Sequence, residues 1–216
     1  PGGGVFTCLS HDIVAHETTH AIMDGLHRRL IDDTNPDMLA FHEAFADIVA
    51  IFQHFTLPGV LLDQIQRTRG DLRIDNVLVQ LASQFARATG SGGALRNALG
   101  DRGPEGRQLR PDPGTLARTK NPHQRGAIFV AAIFDAFLRI YENRIKDLRR
   151  IATGGTGVLP QGDIHPDFAG RLAQEASHAA QHVLNICIRA LDYIPPVDLT
   201  FGDFVRSLIT ADAEFF

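Results

Sequence analysis

Cysteine is scarce in this chain, and the two that occur, Cys8 and Cys187, lie far apart and form no CxxC pair. They support neither a thiolate metal site nor a disulfide framework, and they leave the compartment open. Basic charge is short as well. Against 25 Asp and Glu stand 21 Lys and Arg, a formal net charge of −4, so no broad positive field exists for nucleic acid. No apolar run approaches the roughly 20 residues of a membrane span, and the opening "PGGGVFTCLS" has neither the basic start nor the apolar stretch of a signal peptide. Nucleic-acid and membrane partners are therefore not expected. There is no internal repeat and no clear strand-like alternation, so the class is mainly α. An initiator Met is lacking, and the chain stops on "TADAEFF". We expect a fragment of a longer protein, in which missing targeting signals carry little weight.

What is present suits one domain, residues 1–216, with a proper core: 44% of the residues are hydrophobic and 21% charged. Apolar positions Leu9, Ile13, Ala15, Ile22, Met23, Leu26 and Leu30 recur at helical spacing over 9–31, with Ser10 as N-cap. "DDTNPD" is turn chemistry, and Pro36 is placed to open a second helix that runs to about Phe55 and ends at Leu57 to Gly59. Residues 72–88 are expected to form a third helix. The Gly- and Pro-rich stretch from Gly90 to Pro113 reads as a flexible surface loop, because its "GSGG" lacks the Lys-Ser/Thr of a phosphate loop. Helices over about 123–149, 167–192 and 201–212 complete the prediction.

Within the first helix lies "AHETTH". Positions four apart on a helix differ by about 40° and roughly 6 Å of rise, so His16 and His20 project side by side and can share one metal ion. Glu17 lies about 100° round from His16, within reach of a water on that metal without being a ligand, which is the geometry of a general base. Chance placement on a solvated face would give the same letters. A third ligand has to decide. His27 returns to nearly the same face as His16 but lies about 10 Å further along the axis than His20, too far for a shared zinc on an unbroken helix.

The better candidate is in "FHEAFADIVAIF", residues 41 to 52. Apolar groups surround this helix on most sides, yet Glu43 and Asp47 share one face of it. Burying two carboxylates without compensation costs several kcal/mol each, so the pair needs a cation or strong donors beside it. Zinc on His16 and His20 supplies that cation. Glu43 then completes a His2Glu set with the fourth position left to water, while Asp47 accepts from the outer nitrogen of a ligand histidine. The alternative is a plain ion pairing of Glu43 and Asp47 with Arg28 or Arg29.

With "SHDIVAHETTHAIMD" and "HEAFADI" on the page, the sequence resembles the thermolysin-like gluzincin metallopeptidases, which carry HExxH followed by a glutamate and, four residues on, an aspartate. Residue by residue, the resemblance implies that His16, His20 and Glu43 are zinc ligands, Glu17 the general base and Asp47 the group that orients a ligand. Asp12 and Asp24 match two further helix positions usual there. "NPHQRGAIFVAAIF" resembles the segment whose histidine stabilises the tetrahedral intermediate, and His123 matches it. Asn121 as N-cap and Pro122 at the first helical position place His123 in a first turn independently of any family. "LRPDP" makes Arg110 the candidate substrate-binding arginine, with Arg107 and Arg118 as rivals.

The resemblance implies the mainly helical catalytic half of such an enzyme, with its upstream α/β lobe and edge strand largely absent from the chain. It implies zinc as cofactor, and peptide or protein as substrate. Departures stand beside it. Ile31 replaces the tyrosine usual eleven residues after the second ligand histidine, Arg118 the aspartate five before His123, and His54 the acidic group of calcium-binding relatives. Calcium is not expected, and the oxyanion machinery looks reduced. The rival reading is a zinc-stabilised scaffold or binding domain, derived from a peptidase and lacking turnover. Intact Glu17 argues against it, since a structural site needs no base. Oligomeric state, substrate preference and localisation are not written in the sequence.

Overall fold

The computed structural model describes residues 8, 10–74, 76–81, 96–99 and 113–215. Its α-helices are α1 (His11–Leu26), α2 (Met38–Gln53), α3 (Pro58–Thr68), α4 (Pro113–Arg118), α5 (Pro122–Ala152), α6 (Pro166–Ala190) and α7 (Phe201–Phe215). Short 3-10 turns occur at His54–Thr56, Val77–Val79 and Leu191–Tyr193. Two strands of two residues each, β1 (Gln80–Leu81) and β2 (Arg96–Asn97), pair antiparallel with Gln80 opposite Asn97. The chain is thus mainly helical, as its periodicity predicts.

Two expectations need correcting. Pro58 and Gly59 do not merely end α2; Pro58 occupies the first turn of α3, where its missing N–H costs nothing, and Leu61, Gln64, Ile65 and Thr68 recur at helical spacing on its buried side. The helix expected over 72–88 is not there in the described part, which holds turns, a 3-10 segment and β1. Asn76 is the cause. Its side-chain amide donates to the Ile74 carbonyl at 2.6 Å and its oxygen accepts from Leu78 N–H at 3.0 Å, capturing the backbone groups that a helix would use. Residues 82–88, the Gly-rich stretch before Pro113, Arg107 and Arg110 lie outside the described residues.

α2 is the axis of the molecule. It packs against both α1 and α5, and Phe41, Ala44, Phe45, Ile48, Ile51 and Phe52 are almost fully buried around its circumference. Two aromatic groups flank it. Phe52 and Phe55 meet Phe134 and Phe137 of α5, while Phe41 and Phe45 meet Phe204 of α7. No single described helix is long and apolar enough to cross a membrane; the apolarity of α2 is spent inside the protein.

An ion pair ties the near ends of these helices. Asp37, at the head of α2, accepts from Arg125 Nε at 2.6 Å through one oxygen and from Phe201 N–H at 3.0 Å through the other. Arg125 also donates to the carbonyls of Leu116 and Thr119 and lies over the Phe201 ring. Both charged side chains are mostly buried, at 12% and 13% exposure, and so demand this full set of partners.

Gly126 sets how closely α5 can approach α2. A Cβ built there would stand 2.8 Å from the Ala40 carbonyl oxygen and 3.3 Å from the Ala44 amide nitrogen, both rigid backbone. Gly126→Ala therefore forces the helices apart, despite the better helix propensity of alanine. A loss of about 1–3 kcal/mol is expected, the usual range for overpacking, measurable by denaturant unfolding. An unchanged midpoint would show that the contact yields without cost.

Candidate metal centre

α1 is set against its own hydrophobicity. Ile22 and Leu26 are 56% and 65% exposed, whereas His16 and Thr19 are buried beside Met23 on the side that faces α2. Turning imidazoles inward and isoleucine outward is unfavourable unless the histidines meet something that rewards it. They meet α2. His16, His20 and Glu43 each bring one ligand-capable atom into a group in which all such atoms lie within 4.8 Å of one another.

The distances are those of a small coordination cluster. The two Nε2 atoms are 2.9 Å apart, Glu43 Oε2 is 3.5 Å from His16 Nε2, and Glu43 Oε1 is 3.7 Å from His20 Nε2. Ligand atoms held at about 2.0–2.1 Å in a tetrahedral site stand roughly 3.3–3.4 Å apart, so the group fits one ion after shifts of a few tenths of an ångström. The outward nitrogens support this. His16 Nδ1 lies 2.8 Å from Asp47 Oδ1, a carboxylate that can only accept, so Asp47 favours a proton on Nδ1, and Nε2 is the atom turned toward His20 and Glu43. His20 Nδ1 has its own neighbour, His42 Nδ1 at 2.6 Å. A cation between the inner nitrogens is what this arrangement accommodates.

Protonation states suit the same purpose. Burial and the neighbouring His16 and His42 lower the His20 pKa below its ordinary 6.5, which favours the neutral imidazole that a metal needs. Burial works against ionisation of Glu43, but a hydrogen bond from His16 and the positive fields of His123, His20 and His16 outweigh it and hold the carboxyl down at about 2. Glu43 is anionic at any working pH. Arg28 and Arg29, the alternative partners for the two carboxylates, are exposed, and it is histidines that face Glu43 and Asp47.

The remaining expected residues divide clearly. Glu17 is exposed at the rim of the group, close enough to act on His20 electrostatically. Asn121 caps α5 by accepting from Gln124 N–H at 3.1 Å, and Pro122 follows, as the sequence predicts. This places His123 at the centre, with Nδ1 2.9 Å from Glu43 Oε2 and its side chain 60% exposed. Ser10 stands at the head of α1, but its hydroxyl caps no helix N–H and instead meets Asp12 Oδ1 at 3.5 Å. Ile31 and Arg118 are exposed. His42 was missed by sequence reasoning. Its only signal there is adjacency to Glu43 in a helix whose other polar residues are Asp47 and Gln53 alone.

His54 lies between two acceptors. Its Nδ1 faces the Leu78 carbonyl at 3.1 Å and its Nε2 lies 3.7 Å from Asp12 Oδ2, an arrangement that uses the imidazole as donor on both sides. Burial opposes the charge, but the bonds to Asp12 and Leu78 prevail and raise the pKa.

Comparison of the chain with protein-family models, with curated proteins and with solved structures found no match.

The partnership of Asp47 with His16 has a measurable consequence. Asp47→Ala removes the acceptor that fixes His16 while leaving all three ligand groups. Metal affinity should fall about 10- to 100-fold, read in a chelator competition. Unchanged affinity would make Asp47 a fold element only.

Proposed function

We propose that this protein is a zinc-dependent peptidase whose described part is the helical catalytic half of a thermolysin-like gluzincin. The observation that carries the reading is the donor set itself. Among the described residues, two imidazoles and one carboxylate converge, and Glu17, exposed on the same helix as both histidines, acts on His20 through its charge. Nitrogen and carboxylate donors in a three-member set suit catalytic zinc, whereas structural zinc sites are closed by four protein ligands.

Zinc, when bound, supplies Lewis-acid polarisation of the scissile carbonyl and of a water. Glu17 takes the proton from the attacking water and delivers it to the leaving amine, so that no covalent intermediate with the protein is needed. Its exposure on the solvent side leaves it accessible to both. His123, in the exposed first turn of α5, donates to the oxyanion that develops on the carbonyl, for which its imidazole must turn from Glu43 toward the substrate. Arg110 is the proposed contact to the substrate backbone.

The test is metal analysis of the purified protein together with hydrolysis of a peptide library, before and after chelation. We expect close to one zinc per chain and hydrolysis that chelation stops and added zinc restores. Zinc bound without hydrolysis would favour the scaffold reading, and no zinc at all would remove both.

A further inference from the structure

His42 lies in the interior beside the metal group, 8% exposed, and its ring stacks on that of His20 with centroids 4.5 Å apart and planes 7° from parallel. Stacking alone would not require a histidine. The nitrogens do. His42 Nε2 is 3.0 Å from Asp24 Oδ1, and His42 Nδ1 is 2.6 Å from His20 Nδ1.

The proton positions follow in order from one end. An aspartate carboxylate only accepts, so His42 donates from Nε2. A neutral imidazole has one N–H, which leaves His42 Nδ1 as a lone pair. His20 must then donate from its own Nδ1, and its Nε2 lone pair faces His16 Nε2 at 2.9 Å, which donates to it in the absence of a metal. Asp24 is four residues after His20 on α1, so one helix supplies both ends of the chain and α2 inserts the middle. Asp47, 2.8 Å from His16 Nδ1, orients that ring directly. The two ligand histidines are thus oriented by different devices.

We infer that His42, held by Asp24, is a positioning residue that fixes His20 as the Nδ1–H tautomer and aims its Nε2 lone pair at the metal position. This assignment rests on the metal-site reading above. It acts through hydrogen-bond direction, and the stacked ring limits rotation of His20 about its side-chain bonds.

The experiment joins a chelator competition with zinc to 15N NMR of the histidine rings in the metal-free protein, for wild type, His42→Phe, His42→Asn and Asp24→Ala. His42→Phe keeps the stacked ring and loses the acceptor. We expect zinc affinity to fall about 10- to 100-fold and His20 to lose its uniform Nδ1–H signature. His42→Asn sets an amide oxygen close to where Nδ1 stood, and it should recover most of the affinity. Asp24→Ala, at a half-exposed side chain, should give a smaller loss in the same direction.

A wild-type His20 protonated on Nε2 would overturn the assignment, as would His42→Phe with wild-type affinity and an unchanged His20 spectrum. Equal loss in His42→Phe and His42→Asn would reduce His42 to a packing role. If wild type binds no zinc, the metal reading falls on its own, and the tautomer spectra still decide the part played by His42. If His42→Phe does not fold, Asp24→Ala and the wild-type spectra decide it.

Discussion

Replacing Glu17 by Gln is expected to leave zinc bound and to remove nearly all peptide hydrolysis, a fall of about 10²- to 10⁴-fold in kcat. Glutamine keeps the size and the hydrogen-bonding reach of the side chain but cannot take a proton. The change is mild for the fold, because Glu17 is exposed and α1 meets α2 through His16, Thr19, His20 and Met23 instead. Zinc content should be unaltered, since the three converging donors do not include Glu17. The measurement is kcat and zinc stoichiometry on the same preparations, in a form of the protein that hydrolyses peptides. Retention of most turnover would show that another group removes the proton and that the exposed glutamate is incidental.

The second large effect is expected from the ligands. Glu43→Ala and His20→Ala should each lower zinc affinity by more than the roughly 10- to 100-fold expected for Asp47→Ala, because they delete a donor rather than its support. Glu43 is the single anion among the three, and without it two imidazoles must hold a divalent ion alone. A second readout is independent of catalysis. A ligand that binds only the folded state adds stability, about 2.7 kcal/mol when present at 100 times its Kd, so zinc should raise the wild-type Tm and leave both variants where they were. Full zinc retention in either variant would remove that residue from the site. A zinc-dependent rise in Tm that survives both changes would place the metal elsewhere in the chain.

These expectations draw on features of unequal range. The pairing of His16 with His20, and of Glu43 with Asp47, was legible from spacing because 3.6 residues per turn is a property of the backbone and needs no tertiary context. The first turn of α5 was legible for the same kind of reason: Asn121 and Pro122 act on backbone groups within three residues of themselves. Even the need for a cation near α2 could be argued, from two carboxylates in a segment with no other polar face.

Helix limits were less secure. The failure over 72–88 arises where Asn76 competes for the backbone, and α3 was hidden because Pro58 and Gly59 look like termination when they follow a helix. Helical periodicity also misjudged the outside of α1. Ile22 and Leu26 were counted with the apolar positions of the helix, but they are exposed because the histidines take the inner side.

The mainly helical class, the Asn121 cap of α5, and the side chains that share a face of α1 and of α2 follow from residue order alone, since each of these depends on interactions a few residues long. That the two faces meet is a matter of packing between helices. The approach of α5 to α2, permitted because Gly126 has no side chain, brings His123 within 2.9 Å of Glu43 across 80 residues of chain. The line from Asp24 through His42 to His20 crosses from one helix to the other and back, and its direction depends on separations of 3.0 and 2.6 Å. Local rules fix angles around one helix axis. The distance between two axes is set by the volumes of all the side chains packed between them, and no window of the sequence contains that sum.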